Sequence, residues 1–161
     1  MLEETNMQNW QLAQQWLRLL DGSLGMGATV ELPVLSDSML PIFGLGRNIK
    51  IRRVPWNACS VGDIIVFSES RRLTAHRLLL AVRTGRQRYF YQKGDANPRG
   101  HFIRAERVVG RVDEYQDEMG SYRTLSTRSA RRAGRFEAFK QMLKVVWGYI
   151  QRLIGKKNII A

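Results

Sequence analysis

At 161 residues the chain has the length of one ordinary domain with terminal extensions, and it can bury a core without metal or disulfide staples. Cys59 is the single cysteine, which excludes an internal disulfide and accords with a reducing compartment. The formal charge of +12 is lopsided: from Ser121 to Ala161 ten Lys or Arg stand against one acid, Glu137, so +9 of the +12 belongs to the tail.

The chain opens on a helical pattern. Between residues 9 and 20, Trp10, Ala13, Leu17 and Leu20 recur at three-and-four spacing, with Trp16 and Leu19 broadening the stripe. Asp21-Gly22-Ser23 and the glycines at 25 and 27 end it, so residues 1–27 form a first unit, a helix capping the open end of a sheet. From Ala28 to Val112 the pattern changes to short segments rich in β-branched and aromatic residues, broken by Gly, Pro and Asn. The expected strands are 29–35, 48–53, 63–68, 73–81, 87–93 and 106–112. With no helical pattern between them, they predict a mainly β domain, either a curled antiparallel sheet or a partly closed barrel. Residues 113–135 are polar and charged and include Gly120 and Gly134, the composition of a linker. A C-terminal amphipathic helix is expected over 136–161, starting near Arg135. Phe136, Phe139, Leu143, Val146, Ile150 and Leu153 form one face; Glu137, Lys140, Lys144, Gln151 and Arg152 lie away from it.

The basic tail calls for an anionic partner, and on charge alone phospholipid or nucleic acid would serve. Its aromatics Phe136, Phe139, Trp147 and Tyr149 would suit RNA, but a helical apolar stripe more often packs or meets a membrane, which makes nucleic acid the weaker expectation. The helix is therefore expected to hold an anionic membrane face; in the competing expectation Phe136, Phe139 and Leu143 pack on the β domain or on a partner helix. No apolar run reaches the roughly 18 residues of a membrane span. Glu3 and Glu4 stand where a signal peptide carries basic residues. A cytoplasmic location, at most peripheral to a membrane, is expected. No Cys or His spacing suits zinc and the glycines lack a phosphate-loop pattern, so neither metal nor cofactor is expected.

Chemistry concentrates in residues 35–41, Leu-Ser-Asp-Ser-Met-Leu-Pro. Two serines two residues apart follow an extended run, so both hydroxyls point one way if the backbone stays extended, and Pro41 halts any helix. Two blocks follow in order: residues 60–80, with Gly62, Asp63, His76 and Arg77, and residues 89–97, with Lys93, Gly94 and Asp95. His76 is one of two histidines and sits in an apolar strand that would hold its ring rigid and neutral. Gly62 and Asp63 read as a turn, and Arg77 and Lys93 as structural by position.

Taken with Ser36, Ser38, Met39 and Pro41, these blocks resemble the signal peptidase I-like family of serine endopeptidases, in its Ser-His branch, over roughly Ala28 to Val112. The resemblance implies an all-β peptidase fold of the signal peptidase/LexA-like type. It also implies Ser38 as nucleophile, His76 as general base, and Ser36 as an oxyanion donor beside the backbone N–H of Ser38. Familiar members are membrane-anchored with the site outside the cytoplasm, and no such anchor is evident here. In this branch a further acid usually follows some six positions after the Asp, where this sequence has His101. Three arrangements stay open: Asp95 orients His76, the site is a dyad, or the second acidic role has moved or been lost. A lysine base, as in LexA-like self-cleaving repressors, finds no support, because the position reads His76. A peptide or precursor-protein substrate is expected to add as a strand beside residues 34–36, with Val34, Leu35, Met39 and Pro41 lining its site. Small residues before the cut bond are implied by the resemblance alone. Two other readings are a catalytically impaired scaffold that binds peptides or partners, and a LexA-like self-cleaving regulator.

Overall fold

The computed structural model describes residues 16–19, 21–69 and 72–157, the last five as backbone alone. Eight strands follow one another: β1 Thr29–Pro33, β2 Asn48–Arg52, β3 Ile64–Glu69, β4 Arg72–Thr84, β5 Gln87–Lys93, β6 His101–Arg104, β7 Val108–Gln116 and β8 Tyr122–Thr124. One long helix, α1 Arg128–Lys157, closes the described chain. The strands form a single antiparallel sheet in the order β1-β2-β7-β3-β4-β5-β6, with β8 on β7. The sheet stays open, which corrects the barrel half of the expectation. Closure needs the two edge strands to meet in register, whereas β6 has only four residues and pairs with β5.

Central position explains the sequence of β3. Neighbouring side chains on a strand point to opposite faces, and β3, between β7 and β4, is covered on both. Ile64 and Val66 enter one core with Leu32, Val34, Met39, Phe43, Ile49, Ile51 and Val112; Ile65 and Phe67 enter another with Leu78, Phe90, Ile103 and Val108. A strand buried on both faces needs an unbroken apolar run, and Ile-Ile-Val-Phe supplies it.

The stretch read as a linker is ordered structure. β7 runs on to Gln116, β8 follows, and α1 starts at Arg128, seven residues before its expected start. The charges that read as solvated pair with one another. Asp113, buried, accepts from Arg52 and Arg111, and Lys50 reaches Glu114 at 2.7 Å. The helix start is capped by Thr127, whose Oγ1 accepts the N–H of Ala130 at 3.2 Å. Expected strand 106–112 begins instead as a 3₁₀ turn, Ala105–Arg107, and β6 was unforeseen.

Of the N-terminal helix, residues 16–19 are helical, and the rest of 9–20 lies outside the described residues. Here Leu17 faces solvent, whereas Leu19 is buried in the first core and Trp16 packs against it.

Helix α1 docks through its smallest residues. Gly62, at φ +97°, approaches so closely that a Cβ on it would lie 2.5 Å from Arg135 N, and a Cβ on Gly134 would lie 2.8 Å from Gly62 O. One turn further Ala138 is buried, and Gln141 Oε1 accepts from Lys93 Nζ at 2.7 Å. Phe136, Phe139 and Leu143 are turned away and exposed, so the expectation that they pack on the β domain is corrected. Backbones this close leave no room for large side chains on the docked face. Among the described residues no helix is long and apolar enough to cross a membrane.

Candidate active site

Strand β1 ends at Pro33, and Val34 keeps contact with the sheet by donating to Arg47 O at 2.7 Å and accepting from Gly46 N at 3.1 Å. The chain then turns. Leu40 N donates to Asp37 O at 3.2 Å, and the Asp37 carboxylate accepts the N–H of Leu45 at 2.8 Å. Ser38 thus lies in a turn, not on the extended backbone expected from the sequence. Its Oγ is nevertheless 3.2 Å from Ser36 Oγ, so the turn brings the two hydroxyls together.

Both serines border an apolar cavity of about 360 Å³. Residues 32–36 with Met39 and Phe43 form one part of its lining, and Val66 with Leu73, Thr74 and Ala75 another. Of the expected substrate residues, Val34 and Leu35 line this cleft and Met39 does so from the core beneath, being 1% exposed. Pro41 does not: it lines cavities on the α1 side and around Gly44.

His76 is the next residue on β4 after the cleft-lining Ala75. It is half-buried, its ring edge-on to Phe67 at 6.0 Å between centroids. Burial pushes its pKa below the ordinary 6.5, which keeps the ring neutral at pH 7. Its Nδ1 is 2.5 Å from Oε1 of Gln92, a fully buried residue of β5. The Gln92 amide nitrogen turns the other way, 2.9 Å from His101 Nε2, and His101 Nε2 lies 3.3 Å from Glu69. With the amide oxygen facing His76, Nδ1 carries the ring proton and Nε2 keeps the lone pair a general base needs. Antiparallel register builds the row. Gln92 pairs with His101 across β5 and β6, and the side chains of Phe67 and Glu69 share one face of β3.

Asp95 is committed elsewhere. Arg77 Nε donates to its Oδ1 at 2.9 Å and Arg77 Nη2 to its Oδ2 at 2.6 Å, both side chains almost wholly buried. The third guanidinium arm reaches Gly62 O at 2.9 Å, so Asp95 braces the turn under α1 instead of orienting His76. Lys93 Nζ donates to Gly94 O and to Gln141, and burial lowers its pKa. The loop 94–97 carries Ser38 directly: Ala96 N donates to Ser38 O at 3.0 Å, and a Cβ on Gly94 would come within 2.6 Å of that oxygen. Glycine is required there for the turn that carries Ser38 to seat.

No family model matches this chain, nor does any curated protein match it significantly.

The structure brings together Ser36, Ser38 and the cleft, and separately His76, Gln92, His101 and Glu69. Among the described residues no hydrogen bond joins Ser38 Oγ to His76; the serine hydroxyl is paired with Ser36. His76 shares the Phe67 face of the sheet while Val66 and Ala75 line the cleft from the other, so alternation along β4 sets its ring on the face away from the cleft. Sequence reasoning missed Gln92 and Glu69. The signal for Gln92 was alternation, since it falls two residues from Phe90 on β5 and so must share that inward face.

Proposed function

We propose that this chain is a serine endopeptidase of the signal peptidase I-like type, with Ser38 as nucleophile and His76 as general base. The observation that carries the reading is the paired hydroxyls of Ser36 and Ser38 at the mouth of an apolar cleft, next to the strand that holds a neutral, anchored His76. A peptide adds beside residues 34–36 on the free side of β1, the sheet's edge strand, and alternate side chains enter the cleft. Ser38 Oγ attacks the scissile carbonyl carbon as its proton passes to His76 Nε2. The oxyanion takes hydrogen bonds from Ser38 N–H and Ser36 O–H. Collapse breaks the C–N bond, His76 returns the proton to the leaving amine, and a water deprotonated by His76 then releases the acyl group from Ser38.

A peptide-binding scaffold without activity is favoured by one feature, the uncharged Gln92 where a carboxylate would stabilise the imidazolium. A substrate-shaped electrophile on a small-residue peptide separates the two. Covalent labelling of wild type, abolished in both Ser38→Ala and His76→Ala, supports the peptidase; a folded wild type that resists labelling leaves the scaffold.

A further inference from the structure

Among the described residues nothing packs on a second face of helix α1. The docked face carries Ala130, Gly134, Glu137, Ala138 and Gln141. At about 100° per residue, Phe136, Phe139, Leu143, Val146, Trp147 and Ile150 fall within an arc of about 100° on the opposite side. All six are exposed, between 38% and 65%. Single exposed apolar side chains are ordinary, but six in one continuous stripe mark an interaction surface. The Gly62–Gly134 contact and the Gln141 bond to Lys93 hold the helix in this orientation, so the stripe cannot roll inward without breaking both.

Charge selects the occupant. The helix carries nine Lys or Arg against one acid, Glu137, whose carboxylate is already held by Lys140 and by Gln141. On the same helical count, Lys140 and Lys144 border the stripe on one side and Arg135 on the other, while Arg128 and Arg132 extend its line toward the helix start. The Lys140 ammonium lies over the Phe136 ring, 5.5 Å from its centroid, so a cation sits directly beside the apolar stripe. A second copy of the helix laid on the stripe would bring two such basic borders together with no acid to answer them. Nucleic acid would satisfy the charge and leave the aliphatic stripe wet. An anionic bilayer satisfies both, with the apolar face at the acyl boundary and the basic borders among the headgroups.

We propose that α1 docks the protein in the plane of an anionic lipid surface through Phe136, Phe139, Leu143, Val146, Trp147 and Ile150. The β domain, held on the opposite side of the helix by the Gly62 and Lys93 contacts, is thereby kept beside the membrane. This does not depend on the peptidase reading.

The test is flotation of the full chain with vesicles of phosphatidylcholine alone or with about a third phosphatidylserine, at about 50 mM and about 500 mM salt. Wild type is expected to float with the serine-lipid vesicles at low salt and at least about tenfold less with phosphatidylcholine alone. Phe139→Asp with Leu143→Asp should lose binding, and Arg135→Glu with Lys144→Glu should lose its dependence on the anionic lipid. Since these side chains are exposed, unchanged circular dichroism and melting are the controls for folding. Failure of wild type to float at low salt overturns the proposal, as does undiminished flotation of the double-Asp variant. A dimer in light scattering that the double-Asp variant dissolves, without vesicle binding, would assign the stripe to a second copy, and a partner protein with an acidic groove that displaces the vesicles would assign it to that partner.

Discussion

Replacing Gln92 by Glu tests how His76 is held, without reference to whether the chain cleaves anything. The change is isosteric and sets a carboxylate oxygen where Oε1 now accepts from His76 Nδ1 at 2.5 Å. In the wild type, burial lowers the His76 pKa, and the hydrogen bond to the neutral Gln92 amide opposes it without reversing it. A carboxylate in direct hydrogen-bond contact favours the imidazolium, and contacts of this kind move a pKa by about one to three units, each unit being about 1.4 kcal/mol. The expected outcome is a His76 pKa raised in Gln92→Glu to or above the ordinary value. The stability consequences have opposite signs. With the pKa depressed, the contribution of His76 is fully present above about 6.5 and is lost as pH falls through the folded value; with it raised, the contribution is present below about 6.5 and is lost as pH rises through the folded value. Any peptidase activity should show an acid limb that shifts upward by the same interval. The assay is long-range ¹H–¹⁵N NMR titration of the imidazoles, with a His101→Asn variant to separate the two rings. A wild-type His76 that titrates at or above the ordinary value, a ring protonated on Nε2 when neutral, or a pKa unmoved by Gln92→Glu would refute the reasoning.

Three further outcomes follow from the same contacts. Asp95→Asn leaves the buried Arg77 guanidinium without its charge partner, and the cost should be about 3–5 kcal/mol in urea denaturation; replacing both by apolar residues should recover much of it. Gly134→Val places a side chain where a Cβ is already 2.8 Å from Gly62 O, and should cost about 1–3 kcal/mol and expose the 125–130 segment to limited proteolysis. The Cys59 thiol is pushed up to about 12 by burial, with Asp63 adding to it. At pH 8 only about one part in ten thousand is then ionised, so iodoacetamide should label native protein far more slowly than unfolded protein.

Local pattern was enough for most strands. Ile64–Glu69 and Gln87–Lys93 announce themselves by β-branched and aromatic runs between turn residues, because a buried strand has to be made of such residues. The part of the chain beyond residue 112 was read poorly for the opposite reason. Asp113 and Glu114 look like loop residues until their partners Arg52, Arg111 and Lys50 are placed beside them, and only then are they a paired layer on a sheet. Helix α1 was legible as a helix, but not which way it faces, because its largest apolar residues point away from the domain. Periodicity reports that a stripe exists, and backbone approach at Gly62 and Gly134 decides which side is packed.

The site divides in the same way. The amino-acid sequence determined the residue types that chemistry needs: two serines close along the chain, a histidine on an apolar strand, and glycines where backbone must turn or come close. Spacing did not determine how they are oriented. Asp95, next in the motif, turns to Arg77, and His76 donates instead to Gln92, sixteen residues away along the chain and on the adjacent strand. Orientation of a side chain depends on the register of strands distant in sequence and on which buried partner must be satisfied first. Arg77 could not be buried beside Asp95 without taking both of its oxygens, so the histidine was left to the nearest inward-facing acceptor.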